Sequence, residues 1–156
     1  MTHPIAAHLD DVGALAPAGY AIGLHLRFAA PVFLFRTYPD AWNEHYSTQA
    51  LVMQDPVVAW GLSAVGVIRW SDLAAKDSAG VLDAAADHGL GFGASVSVTE
   101  GGSRSLAGFA RGDREFSDAE LTLLESHVAA LHGITADESA LDEAALAVIR
   151  ARSVSV

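Results

Sequence analysis

Two hairpin signals, far apart in the chain and each followed by helical patterns, constrain this sequence more than any other feature. Gly93–Thr99 and Ser103–Arg111 alternate apolar and polar residues on either side of Glu100-Gly101-Gly102. Alternation of period two around a Gly-rich break is what a half-buried antiparallel pair requires. Tyr20–Phe28 and Val32–Tyr38 form a second such pair, joined at Ala29-Ala30-Pro31. Strands joined by tight turns run antiparallel, because a parallel pair needs a long crossover. Val67–Trp70 offers a further short strand.

Helical periodicity fills the rest. Ile5, Leu9, Val12 and Ala16 share one face, and Pro17 with Gly19 closes that helix. Pro39-Asp40 opens a helix to about Ala50, with Asp40 as its expected cap. Asp55-Pro56 predicts another start, a capping carboxylate followed by Pro in the first turn. Asp77–His88 reads as helix up to Gly89. Ser117-Asp118-Ala119-Glu120 is a capping box, with Phe116 and Leu121 placed as a hydrophobic staple. Leu121, Leu124, Val128 and Leu131 make one stripe before Gly133, where the helix is expected to stop. Thr135 to Glu138 repeats the capping pattern before a last helix with Leu141, Ala145, Val148 and Ile149. The order predicts an α+β fold, an α/β/α sandwich around an antiparallel sheet of about five strands.

Bulk properties remove several functions. The 156 residues suit one domain, and 51% apolar against 18% charged residues argues against disorder. No apolar run approaches the ~20 residues of a membrane span, and the Met-Thr-His-Pro start does not resemble a secretory signal. With no cysteine there is no disulfide, thiolate zinc site or thiol nucleophile, which fits a cytoplasmic location. A net charge of −10 disfavours direct nucleic-acid binding, which needs clustered Lys and Arg.

Chemistry concentrates between Tyr38 and Pro56. Trp42 and Tyr46 are four apart and project from one helix face. Each joins an apolar body to a polar tip. Asp55 adds an acceptor able to take an amide N–H. Such a set suits a small amphipathic ligand carrying carbonyls and an amide. Aromatics at helical spacing ordinarily fill a core, and Asp before Pro is ordinarily only a cap, so these residues alone leave both readings open.

Trp42-x-x-x-Tyr46, then Asp55-Pro56, Trp70 and Gly93, in that order, resemble the autoinducer-binding domain of LuxR-type quorum-sensing regulators, over roughly Pro17 to Gly133. The resemblance implies a PAS/GAF-like sandwich and an acyl-homoserine lactone or related signal as ligand. It implies that Trp42 donates to the lactone carbonyl, Tyr46 bonds the acyl amide carbonyl and Asp55 accepts the amide N–H. Trp70 would pack over the lactone ring, and Gly93 would have a backbone role. Tyr38 and Val57 are placed as pocket walls, although ordinary core is an equal reading of both. It further implies a homodimer, with the Leu121–Leu131 helix in its surface, transcriptional control, no cofactor and no catalysis.

The chain departs from the family pattern twice. Gly108 stands where members often carry Ser or Thr on the second strand of the late hairpin, and Ser95 is the candidate replacement hydroxyl. Residues 1–134 account for the sensing domain, and 135–156 for a linker whose Leu141–Leu146 segment is similar to the start of a helix-turn-helix domain that the chain does not contain. An excised domain and a truncated inhibitory partner both fit. The competing functions are a lactone or amide hydrolase on the same pocket, and a ligand-free interaction domain. Seven histidines show no HxH or HExxH spacing, so no metal site is expected. Gly89–Gly93 and Gly101-Gly102 lack a phosphate-cradling Lys-Ser/Thr, and Ser103 and Ser105 lie in no nucleophile elbow.

Overall fold

Both hairpins form, and one strand of each joins them into a single sheet. The computed structural model describes residues 2–28 and 30–155, so Ala29 of the expected first turn lies outside the described residues. The strands are β1 (Gly19–Arg27), β2 (Ala30–Arg36), β3 (Gly66–Arg69), β4 (Phe92–Glu100) and β5 (Ser103–Arg111), in the order β2-β1-β5-β4-β3. Every neighbouring pair is antiparallel. The β4–β5 ladder runs from Phe92 opposite Arg111 to Glu100 opposite Ser103. Its two-residue turn places Gly101 and Gly102 at φ 63° and 73°, which only glycine adopts without strain.

Period two in the strands sorts side chains between two layers. On one face Tyr20, Ile22, Leu24, Phe35, Ala94, Val96, Ala107 and Phe109 are buried against helices. These are α1 (Pro4–Leu15), α5 (Asp118–Ile134) and α6 (Glu143–Arg152). Ile5, Leu9 and Val12 of α1 and the Leu121-Leu124-Val128-Leu131 stripe of α5 complete that core. Each such side chain contributes about 1.5–3 kcal/mol on burial. The stripe is therefore consumed inside the chain, and Leu123 is the large apolar residue that α5 leaves exposed. Ala145 and Ile149 bring α6 into the same core, and the Val154 N–H donates to the Leu34 carbonyl at the free edge of β2. The opposite face is covered by α2 (Asp40–Thr48), α3 (Pro56–Ser63), a 3-10 helix at Trp70–Lys76 and α4 (Val81–Asp87).

Four local expectations need correction. Asp40 is the first residue of α2; the cap position is Pro39, with no side-chain cap bond. Asp77–His88 is not one helix, because Gly80 at φ 73° interrupts it. Asp77 instead accepts the N–H groups of Val81 and Leu82, at 2.8 Å each, across that break. Helix α5 runs through Gly133 to Ile134. Thr135 is not an N-cap: it is the buried C-cap residue of α5, its hydroxyl donating to the Leu131 carbonyl at 2.7 Å, and Asp142 caps α6 through the Ala145 N–H.

Candidate functional site

Between the sheet and α2, α3 and α4 lies a cavity of about 380 Å³, within the ~300–1,000 Å³ usual for small-molecule sites. Its sheet-side floor is short-chained, with Ala21, Gly23 and Gly108 beside Leu34 and Leu106. Trp42, Tyr46, Asp55, Val57, Trp70, Ser95 and Tyr38 all line it, so every residue singled out as a ligand contact in the sequence converges on one space. Gly93 stands behind Trp70 and does not itself line the cavity.

Local structure explains how each arrives. The 3.6-residue repeat puts Trp42 and Tyr46 on the inner face of α2, with ring centroids 5.6 Å apart. His88, at the end of α4, packs 5.3 Å from Trp42 and stacks on His45. Asp55 caps α3, its Oδ1 accepting the Val57 N–H at 2.8 Å, while Oδ2 accepts the Tyr46 hydroxyl at 2.7 Å. Burial raises the Asp55 carboxyl above the ordinary carboxylate range, opposed by those two hydrogen bonds. Burial, reinforced by Asp55, also raises the phenols of Tyr46 and Tyr38 far above their usual value. Both therefore stay protonated donors at neutral pH.

Trp70 is fixed from two sides. Its indole N–H donates to Ser95 Oγ at 2.9 Å, and its ring lies flat against Gly93. A Cβ on Gly93 would fall 2.0 Å from Trp70 Cδ2, so only glycine admits the ring. Gly108 serves Tyr38 similarly, since a Cβ there would sit 2.9 Å from the Tyr38 hydroxyl. The phenol thus fills the space that a larger β5 residue would take.

The hydrogen bonds divide the polar groups in two. Tyr46 spends its proton on Asp55, and Trp70 spends its own on Ser95. Trp42 Nε1 and Tyr38 Oη have no partner among the described residues, and neither is sealed from the open volume. Trp42 Nε1, Tyr38 Oη and the remaining lone pairs of Asp55 are therefore open to further partners. Because the Tyr46 proton is already engaged, Tyr46→Phe is expected to act through Asp55. It leaves a buried oxygen one bond short and weakens guest binding by about 0.5–1.5 kcal/mol. Titration of that variant with unchanged affinity would mean that the Tyr46–Asp55 bond does not support the site.

Sequence reasoning did not single out Arg36, Asn43, Leu106 or Leu82, which also line the cavity. Arg36 and Leu106 were detectable in principle as strand residues on the Ala21 and Gly108 face; Asn43 and Leu82 carry no such signal. The histidines form pairs instead of a metal cluster. His25 and His132 pack with ring centroids 4.3 Å apart and planes tilted by 40° inside the opposite layer, and among the described residues no three metal-ligating side chains converge.

Similarity to known proteins agrees with this geometry. The family described as the autoinducer binding domain matches residues 15–137. The transcriptional activator protein SolR of Ralstonia nicotianae is 34% identical over 109 residues, covering 69% of this chain and 46% of that protein. SolR of Ralstonia solanacearum is 35% identical over 58% of this chain and 39% of its own length, so the chain spans less than half of these relatives. Among solved structures, the N-acylhomoserine lactone dependent LuxR family factor CepR2 of Burkholderia cenocepacia superposes with a TM-score of 0.63 at 21% identity, over 92% of this chain and 84% of that one. SdiA in complex with octanoyl-rac-glycerol has the same TM-score at 20% identity, over 91% and 64%. At such identities the structures establish the shared fold. With the family match spanning most of its length, this chain belongs to the autoinducer-binding domains of LuxR-type regulators.

Proposed function

We propose that the cavity binds an acyl-homoserine lactone, or a signal of the same amphipathic chemistry, and releases it unchanged. The observation that carries this reading is the convergence of Trp42, Tyr38 and the Asp55 carboxylate on one largely apolar cavity. In this reading Trp42 Nε1 donates to the lactone carbonyl, and Asp55 accepts the amide N–H. Trp70, held by Gly93 and Ser95, offers a flat face to the ring. With the Tyr46 proton committed to Asp55, the free Tyr38 hydroxyl is the donor for the amide carbonyl, and Tyr46 positions the carboxylate. Val57 and the glycine-rich floor take the acyl arm. The known SdiA complex supports an acyl-bearing guest in this fold.

In this account the chain is a sensory unit that works in the cytoplasm as a homodimer and controls transcription through a DNA-binding module joined beyond the segment 135–156. A lactone hydrolase needs a base aimed at water beside the lactone carbonyl. Asp55 is already bonded to Tyr46 and Val57, and in this reading its free lone pairs meet the amide instead. Prolonged incubation of the protein with a bound lactone, followed by mass spectrometry, separates the two. Intact lactone is the expected recovery, whereas ring-opened or deacylated product formed faster than in buffer would make the chain an enzyme.

A further inference from the structure

The sheet register extends the cavity further than its polar cluster does. Ser95 pairs with Gly108, Gly108 with Ala21, and Ala21 with Arg36, so these four residues form one row across β4, β5, β1 and β2. All four line the cavity. At 4.7–4.9 Å per strand, the row runs about 14 Å from Ser95, where Trp70 is anchored, to Arg36 at the edge of the sheet. Its two middle residues, Gly108 and Ala21, raise almost nothing above the sheet. The row has the aromatic cluster at one end and Arg36 at the other, with the Tyr38 hydroxyl standing over Gly108 between them.

Arg36 is chemically unusual in this chain. Arg27, Arg69, Arg111, Arg114, Arg150 and Arg152 each pair with a carboxylate, and Arg104 bonds the Gly61 and Ala64 carbonyls. Arg36 does neither among the described residues, although the chain carries nineteen acidic groups. A strand edge is often protected by a charge, but β2 is already met at Leu34 by Val154. Arg36 is exposed at the sheet edge and also lines the cavity, as do Asn43 and Ser47 of α2.

We propose that the ligand of this cavity carries a carboxylate or similar anionic oxygen at the far end of its acyl arm, and that Arg36 binds it. This rests on the lactone reading of the polar cluster and adds the chemistry of the tail. The charge pattern is complementary: Asp55 at one end takes an N–H, and Arg36 at the other supplies up to five donors to an oxyanion.

The test uses lactones in pairs of equal carbon number: octanoyl against 7-carboxyheptanoyl, and decanoyl against 9-carboxynonanoyl homoserine lactone. Each is titrated calorimetrically into the wild-type chain and Arg36→Met. In at least one pair the carboxylated ligand is expected to bind wild type about tenfold more tightly, an advantage that added salt reduces. Arg36→Met is expected to lose that preference while keeping its affinity for the methyl-ended partner. Equal or tighter binding of the methyl-ended ligand in both pairs overturns the proposal while leaving the lactone reading intact. A carboxylate preference that survives Arg36→Met overturns the assignment to Arg36. Binding of no lactone at all removes the lactone reading, and this proposal with it. Should Arg36→Met fail to fold, the wild-type pairs and their salt dependence still decide.

Discussion

Gly93→Ala is expected to lower the unfolding temperature by roughly 5–10 °C and to abolish lactone binding. The added Cβ would fall 2.0–2.4 Å from three atoms of the Trp70 ring, and those atoms belong to a rigid fused bicycle, not to a flexible chain end. Overpacking of this kind typically costs about 1–3 kcal/mol, and at this chain length each kcal/mol lowers Tm by roughly 2–4 °C. Function suffers more than stability. Relief of the clash moves the indole off Ser95 Oγ, 2.9 Å away, and away from the ring position it would cover. Thermal unfolding and a lactone titration of the same preparation measure both effects. Combining Gly93→Ala with Trp70→Leu is expected to cost less stability than the sum of the single changes, because the clash then has no ring to meet. An unchanged Tm in Gly93→Ala would mean that Trp70 does not lie against β4.

Asp55→Asn separates binding from folding. Asp55 has two oxygens, already accepting from Tyr46 and Val57, with lone pairs left for a ligand N–H. Asparagine keeps one oxygen, enough to cap α3, but presents an amide donor where the ligand needs an acceptor. Lactone affinity is expected to fall by about 1.5–3 kcal/mol, or roughly ten- to a hundredfold. Folding of the empty chain should not suffer. Burial raises the Asp55 carboxyl above its unfolded value, so ionisation works against the fold as pH rises through that range. An uncharged residue there leaves stability at neutral pH equal or slightly higher.

The same shift sets a pH dependence for the wild type. If the ionised carboxylate accepts the amide N–H, binding is fully present above the raised Asp55 pKa and is lost as pH falls through it. Asp55→Asn is expected to show a flat profile over the same window. An acid loss of equal size in both proteins would place the titrating group elsewhere.

What the sequence made legible is what local rules encode. The capping box at Ser117, the Asp55-Pro56 start and both hairpins depend on residues within a few positions of each other, and each forms. Helical spacing likewise placed Trp42 and Tyr46 together. The identities of Trp70 and Gly93 were readable through the family pattern, but the reason for that glycine, a ring pressed onto the backbone, is visible only in three dimensions. Tyr38 against Gly108 is a contact between residues seventy positions apart, and no periodicity encodes it. The buried polar network is equally remote. His25, at φ 58° within β1, bonds Ser103 Oγ at 2.7 Å and meets the His132 carbonyl and Thr135 at 3.0 Å, and this tertiary demand holds the Thr135 side chain at the end of α5, away from an N-cap role. Gly80 was underestimated because its neighbours favour helix; its left-handed backbone divides what composition alone made continuous. The row from Ser95 to Arg36 depends on register across four strands, which strand signals do not specify.

The most direct measurement is thermal unfolding of the purified chain against acyl-homoserine lactones of graded length, methyl-ended and carboxylated. A ligand at a hundred times its Kd stabilises the folded state by about 2.7 kcal/mol, a rise of roughly 5–10 °C for a chain of this size. The account predicts such a rise for a narrow range of arm lengths, lost in Asp55→Asn. An unfolding temperature unmoved by every lactone would contradict it and leave the aromatic cluster as core.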